Sequence, residues 1–141
     1  ADSVNLEITE SVAITSGYML KKNMDELKKM GCSFSLDDFG TGYSNLSQIV
    51  KTEFEVIKID KSLLWPCFDE KNKSLQNAKM LLETLIELML KFGYEIVVEG
   101  IETQEQFEYL KKQGITFAQG YYFSKPLCEN DFIEFLEKNN K

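Results

Sequence analysis

Two aspartates, Asp37 and Asp38, stand side by side at the end of the run SFSLDD (33–38), and Gly40 and Gly42 follow them in FGTG. Adjacent carboxylates disfavour each other's ionisation, so the pair must either face open water or share something positive. Three more charged side chains sit in other β-rich runs: Glu7 in VNLEIT (4–9), Lys58 in EVIKID (55–60) and Glu99 in EIVVEG (95–100). The sequence has no histidine, which removes imidazole acid–base chemistry and His-ligated zinc. Carboxylates gathered in one concave mouth need compensating cations, and an oxygen-only donor set suits Mg2+, Ca2+ or Mn2+. Lys58 is the positive side chain among them, suited to orienting a water or steadying a developing oxyanion. Each residue alone has a plainer reading. Glu7 could face solvent, Asp37 and Asp38 could open an Asx turn, Lys58 could pair with Asp60 or a neighbouring acid, and Gln119 could be a polar residue at a strand start.

The elements that must position these residues decide between the readings. Short β-rich runs at 4–9, 33–38, 55–60, 95–100 and, less regularly, 117–123 alternate with helical patterns near 18–30, 43–50, 73–92, 103–113 and 128–138. Gly31, Gly93 and Gly114 follow three of the helical patterns where a left-handed cap belongs. Thr103 and Glu105, then Glu129 and Asp131, put cap or acidic residues in the first turns of the last two. Five β-then-α units imply a parallel sheet covered by helices. Side chains alternate along a strand, so Leu6, Ile8, Phe34, Leu36, Ile57, Ile59, Ile96 and Val98 form one apolar face. The opposite face then carries Glu7, Asp37, Lys58 and Glu99, with Asp38 turned inward where the pleat breaks. A doubly wound sheet would need both faces apolar, whereas a (βα)8 barrel lines its interior with the second face and keeps its chemistry at the C-terminal mouth. The expected fold class is therefore α/β, a partial (βα)8 TIM-type barrel.

With 141 residues the chain is one domain or a piece of one. A barrel of this type runs to about 250 residues, so residues 1–141 read as the last five of its eight βα units. A formal charge of −7 argues against a DNA-binding surface, since phosphate backbones are bound by clustered Lys and Arg. The three cysteines lack metal-ligand spacing and read as free thiols. No run reaches the roughly 18 apolar residues of a membrane span, and the first residues hold no basic-then-apolar leader. The expectation is a cytoplasmic segment without membrane contact of its own, whether or not a larger protein is tethered. In the third helical pattern Leu75, Ala78, Leu82, Leu85, Met89 and Phe92 form the stripe for the sheet, while Met80, Leu81 and Leu88 lie outside it and lean towards a dimer. Two motifs fail in context: DFG lacks the other kinase elements, and GTGYSN lacks the third glycine of a dinucleotide loop.

Five ordered stretches, LEITES (6–11), DDFGTGYSNL (37–46), IKID (57–60), VVEGIET (97–103) and QGYYFSKPL (119–127), together resemble the motifs of the EAL domain. The resemblance implies a bacterial cyclic-di-GMP phosphodiesterase that opens its substrate to linear pGpG with two divalent cations, Mg2+ or Mn2+. It implies that Glu7, Asp37, Asp38 and Glu99 are metal ligands, with Asp37 as the bridge. Lys58 resembles the lysine that contacts the attacking water, Gln119 a polar residue supporting the site, and Glu10 the glutamate that anchors the loop from Phe39 to Leu46. The Glu-Ala-Leu signature is absent from these residues, so the fragment alone is expected to be inactive and to pair with the N-terminal part of its domain or with a second copy. The segment SLLWPCFDEKNKS is longer than the family's usual connection. The alternative reading is a degenerate domain that binds cyclic-di-GMP or a protein without turnover.

Overall fold

The apolar alternation builds one sheet. In the computed structural model, which describes residues 4–42 and 46–139, five parallel strands follow one another in chain order, β1 (Asn5–Thr9), β2 (Ser33–Phe39), β3 (Val56–Ile59), β4 (Glu95–Val98) and β5 (Phe117–Ala118). Helices α1 (Glu10–Thr15) and α2 (Gly17–Lys29) follow β1, and α3 (Leu46–Lys51) follows β2. After β3 come α4 (Lys61–Leu64), a 3-10 turn (Trp65–Cys67) and α5 (Leu75–Lys91); α6 (Gln104–Lys112) follows β4 and α7 (Glu129–Asn139) follows β5. Among the described residues β1 and β5 each pair on one side, so the sheet is an open sector.

One face of the sheet forms the core. Phe34, Leu36, Ile57, Ile59, Ile96 and Val98 are fully buried, and they share one cluster with Ala13 of α1, Met24 of α2, Ile49 of α3, Leu82, Ile86 and Met89 of α5, and Leu110 of α6. Burying side chains of this size contributes about 1.5–3 kcal/mol each, and that burial sets which strand face turns away from the helices. The expected caps are present: Gly31, Gly93 and Gly114 have left-handed φ of 88°, 86° and 78°. Thr103 Oγ1 accepts from Gln106 N at 3.2 Å while Gln106 Oε1 accepts from Thr103 N at 3.1 Å, a reciprocal cap in which Gln106 joins the expected Thr103.

Several expected boundaries shift for local reasons. The run 117–123 forms a strand only over Phe117–Ala118, because Gln119 and Tyr122 exchange backbone hydrogen bonds with Ile101 in the loop after β4. Residues 10–15, unassigned from the pattern, form α1. Phe92, expected on the core stripe of α5, is half-exposed just past the helix end, and Ile86 takes a core place instead. The irregular stretch 65–73 opens with the 3-10 turn. Of the helix expected at 43–50, residues 43–45 lie outside the described residues and the remainder is α3.

The loop after β4 closes tightly on the start of the last motif. A Cβ placed on Gly120 would lie 2.0 Å from the carbonyl oxygen and 2.3 Å from the nitrogen of Ile101, which are backbone atoms with little room to move. A Cβ on Gly93 would meet nothing within 4 Å, although its φ of 86° is strained for any other residue. Gly120→Ala should therefore lower unfolding stability by about 1–3 kcal/mol or more, and Gly93→Ala by about 1–2 kcal/mol. Denaturant titration of both variants checks the order, and a larger loss at Gly93 would contradict it.

Candidate functional site

The side chains on the other sheet face converge on one ammonium. Lys58 Nζ in β3 lies 2.8 Å from Glu7 Oε1 of β1, 2.9 Å from Asp37 Oδ1 of β2 and 3.0 Å from Glu99 Oε1 just past β4. Four neighbouring strands thus contribute one charged group each, staggered along the parallel register, with Glu7 opposite Ser35, two residues before Asp37, and Lys58 opposite Val97, two residues before Glu99. The Lys58 side chain is only 11% exposed and that of Glu7 is 51% exposed, so the cluster opens to solvent on the β1 side. Burial by itself pulls the Lys58 pKa down, but hydrogen bonding to Glu7, Asp37 and Glu99 outweighs it and holds the ammonium well above the ordinary lysine range. Beneath the acids, Asn5 donates to Ser33 Oγ at 2.9 Å and accepts from Ser35 Oγ at 2.7 Å, a polar base for the cluster.

The paired aspartates owe their placement to a break in register. Leu36 pairs with Ile57 but Phe39 pairs with Ile59, so β2 advances three residues while β3 advances two. Leu36 and Phe39 both stay in the core, at 0% and 1% exposure, and the two residues between them are both kept out of it. The extra residue is accommodated at Asp38, whose φ of 56° is left-handed, a conformation that aspartate tolerates better than most residues. The Asp38 carbonyl accepts from Thr41 N at 3.2 Å and Thr41 Oγ1 at 2.9 Å. Asp37 thereby reaches Lys58, and Asp38 sits half-buried beside it.

Glu10 and Gln119 lie beside the cluster. Glu10, the first residue of α1, is 2% exposed. Its Oε2 accepts from Gly40 N at 3.0 Å, and a Cβ on Gly42 would lie 3.3 Å from its Oε1. The described part of the loop after β2 is therefore folded onto this carboxylate, while residues 43–45 of the loop lie outside the described residues. Gln119 is exposed, and its backbone spans the site: its N–H donates to Val98 O at 2.9 Å and its carbonyl accepts from Ile101 N at 3.1 Å. With Asp60, Trp65 and Glu99 it lines a cleft of about 280 Å3 next to the acidic cluster. Lys58 does pair with neighbouring acids, Glu7, Asp37 and Glu99, rather than with Asp60. Asp60 instead caps α4, its Oδ1 accepting from Ser62 N at 2.8 Å, a role its position just before the KSLL helix would have signalled.

Among the described residues, no group of three acidic or cysteine side chains forms a ready cation site; the three acids that do converge are gathered around Lys58. In kind, the donors fit a hard divalent cation. All are carboxylate oxygens, and the buried Asp37 Oδ1 has Lys58 as its ion-pair partner at 2.9 Å, leaving lone-pair capacity for a further positive partner.

Strand ends carrying acids and a lysine on the face opposite the helices define a sector of a (βα)8-type α/β domain with its site at the C-terminal mouth. The chain belongs to the EAL domain family, whose model matches residues 1–126. It is 35% identical over 133 residues to the cyclic di-GMP phosphodiesterase RocR of Pseudomonas aeruginosa, covering 94% of this chain and 33% of RocR. Among solved structures it is similar to the EAL enzyme Bd1971 in its cAMP and cyclic-di-GMP bound form, with TM-score 0.85 and 29% identity over 96% of this chain and 34% of that one. It is also similar to Klebsiella pneumoniae BlrP1 in a manganese and cyclic-di-GMP complex, with TM-score 0.76 and 30% identity over 89% of this chain and 31% of that one. The chain thus spans about a third of each of these proteins.

The raised pKa of Lys58 fixes the sign of a pH effect. A group whose folded pKa is raised stabilises fully below its unfolded pKa, and that contribution is lost only as pH climbs through the folded value. The cluster should therefore survive alkaline titration to about pH 10, near the ordinary lysine pKa. An amine-acylating reagent at about pH 9 should modify exposed Lys61 readily and Lys58 least, as read by peptide mass spectrometry. Equal modification of the two would contradict the ion-paired cluster.

Proposed function

We propose that this chain supplies the acidic, lysine-centred side of a metal-dependent phosphodiesterase site that hydrolyses cyclic-di-GMP to linear pGpG. The observation that carries this reading is the convergence of Glu7, Asp37 and Glu99 on Lys58 at the C-terminal strand ends. The relatives named above support the substrate class. In the reaction a water oxygen forms a bond to phosphorus, the bond from phosphorus to one ribose 3′ oxygen breaks, and that oxygen leaves with a proton.

Glu7, Asp37, Asp38 and Glu99 would hold two divalent cations, Mg2+ or Mn2+, with Asp37 shared between them. When bound, such ions supply Lewis acidity to the phosphoryl oxygens and a nucleophile at neutral pH. The remaining work belongs to this chain's own groups. Lys58 stays protonated and presents a fixed positive charge to the anionic phosphodiester or to the attacking water. Glu10 holds the start of the loop after β2 through Gly40, and so fixes the conformation in which Asp38 emerges beside Asp37. Gln119 borders the cleft where the substrate's remaining atoms would lie. An otherwise acidic surface is thereby able to accept a dianion only with cations in place.

The open edges of the sheet bear on assembly. β1 and β5 each pair on one side among the described residues, and exposed strand edges seek partners. In this reading they pair with the N-terminal part of the same domain or with a second copy, and the 141 residues alone lack activity. Met80 and Leu81, at 61% and 51% exposure on α5, offer apolar surface to a homodimer.

Asp37→Asn in the intact protein tests the ligand role. Hydrolysis, followed by chromatography of pGpG with Mn2+ or Mg2+ present, should fall by roughly a hundredfold or more, with the circular dichroism spectrum unchanged. Turnover close to that of the unaltered protein would sink the bridging assignment. Binding of cyclic-di-GMP by the unaltered protein with no pGpG formed would favour the non-catalytic alternative.

A further inference from the structure

The long connection after β3 carries a tryptophan to which the proposed reaction gives no part beyond lining the cleft beside the acidic cluster. Trp65 opens the 3-10 turn between α4 and α5, and its indole Nε1–H donates to Gly100 O at 2.9 Å across 35 residues of sequence. Its mount is firm. Leu64 before it and Cys67 after it are both 0% exposed, Pro66 stiffens the turn, and the Pro66 carbonyl accepts from Asn72 Nδ2 at 2.9 Å. Lys61 lies over the indole with its ammonium 4.8 Å from the ring centre.

What the indole holds is the turn that ends β4. Glu99, which reaches Lys58 Nζ at 3.0 Å, is followed by Gly100 with a left-handed φ of 72°. A glycine beside a working carboxylate leaves the chain free to swing, so something must restrain it. Upstream, Glu99 N–H donates to Ile59 O at 2.9 Å. Downstream, the Trp65 indole holds the Gly100 carbonyl. The Glu99–Gly100 pair is thus pinned at both ends, by a strand on one side and by the 3-10 turn on the other. A Cβ on Gly100 would lie 2.4 Å from Lys61 Cβ, which shows how closely α4 is pressed on this turn.

We infer that Trp65 is a positioning residue, whose indole N–H fixes the Glu99–Gly100 turn and so holds the Glu99 carboxylate at the site. The inference rests on the ligand role proposed for Glu99. Trp65 also lines the neighbouring cleft, but its hold on Glu99 runs through the turn alone.

The test is Trp65→Phe in the intact protein, which keeps an aromatic ring and removes the donor. Mn2+ affinity is measured by calorimetry without substrate, together with the Mn2+ dependence of pGpG formation and the thermal midpoint. Groups that orient metal ligands typically change affinity by about 10–100-fold, so the Mn2+ dissociation constant should rise at least about tenfold. The thermal midpoint should stay near that of the unaltered protein, and saturating Mn2+ should restore most of kcat. Unchanged Mn2+ affinity in the variant, with tight binding by the unaltered protein, would overturn the positioning role and leave the proposed function standing. Loss of activity that Mn2+ does not restore, a raised KM at saturating Mn2+, or an unfolded variant would equally overturn it. If the unaltered protein binds no Mn2+, the proposed function falls and takes this inference with it.

Discussion

The structure turns on the mutual repulsion of acids at neighbouring strand ends. Parallel pairing sets Glu7, Asp37 and Glu99 close enough that each must find positive charge, and Lys58, on the strand between Asp37 and Glu99, provides it within 3.0 Å of all three. An ammonium buried among apolar atoms would tend to lose its proton. Hydrogen bonds to the three acids instead hold the Lys58 ammonium charged. The inner face of the sheet can therefore be polar while the outer face is one of the most deeply buried surfaces of the chain.

That division of labour between faces organises the rest. Helices α2, α3, α5 and α6 bring apolar residues to one side only, so the strand ends need no helix above them and remain open as a mouth. Connections that would be simple loops elsewhere press inward here. The loop after β2 folds onto the Glu10 carboxylate, and the connection after β3 presses Lys61 and Trp65 onto the turn after β4. Each takes hold of backbone beside an acidic side chain, which is where a small displacement would matter most for chemistry.

Much of this was legible in the residues. The alternation of Phe34 with Leu36, Ile57 with Ile59 and Ile96 with Val98 identified both the strands and the face that goes to the core. It also put Glu7, Asp37, Lys58 and Glu99 together on the far face before any distance was known. Alternation could not reveal where alternation stops. That Asp37 and Asp38 both leave the core follows from a pairing shift against β3, a property of two strands at once. The shortness of β5 was hidden for a similar reason, since the aromatic run 117–123 has strand character but its backbone partners lie in the loop at Ile101. Phe92 was misassigned because the helix ends one residue before it, and the half-buried ring packs edge-on to Tyr94 instead. The Trp65 contact spans 35 residues and has no local signature beyond its place in the longest connection between the described strands.

The extra residue in β2 also has an evolutionary consequence. Leu36 and Phe39 would fall into ordinary alternation if one aspartate were lost from between them, since a regular strand needs only a single residue there. Such a deletion would remove a left-handed residue and leave the core face in register, at the cost of a partner for the buried Glu10 carboxylate. The same event would strip a carboxylate from the mouth and draw Gly40 out of step with Glu10. A single three-base loss would thus trade a carboxylate at the mouth and the Glu10 anchor for a more regular strand.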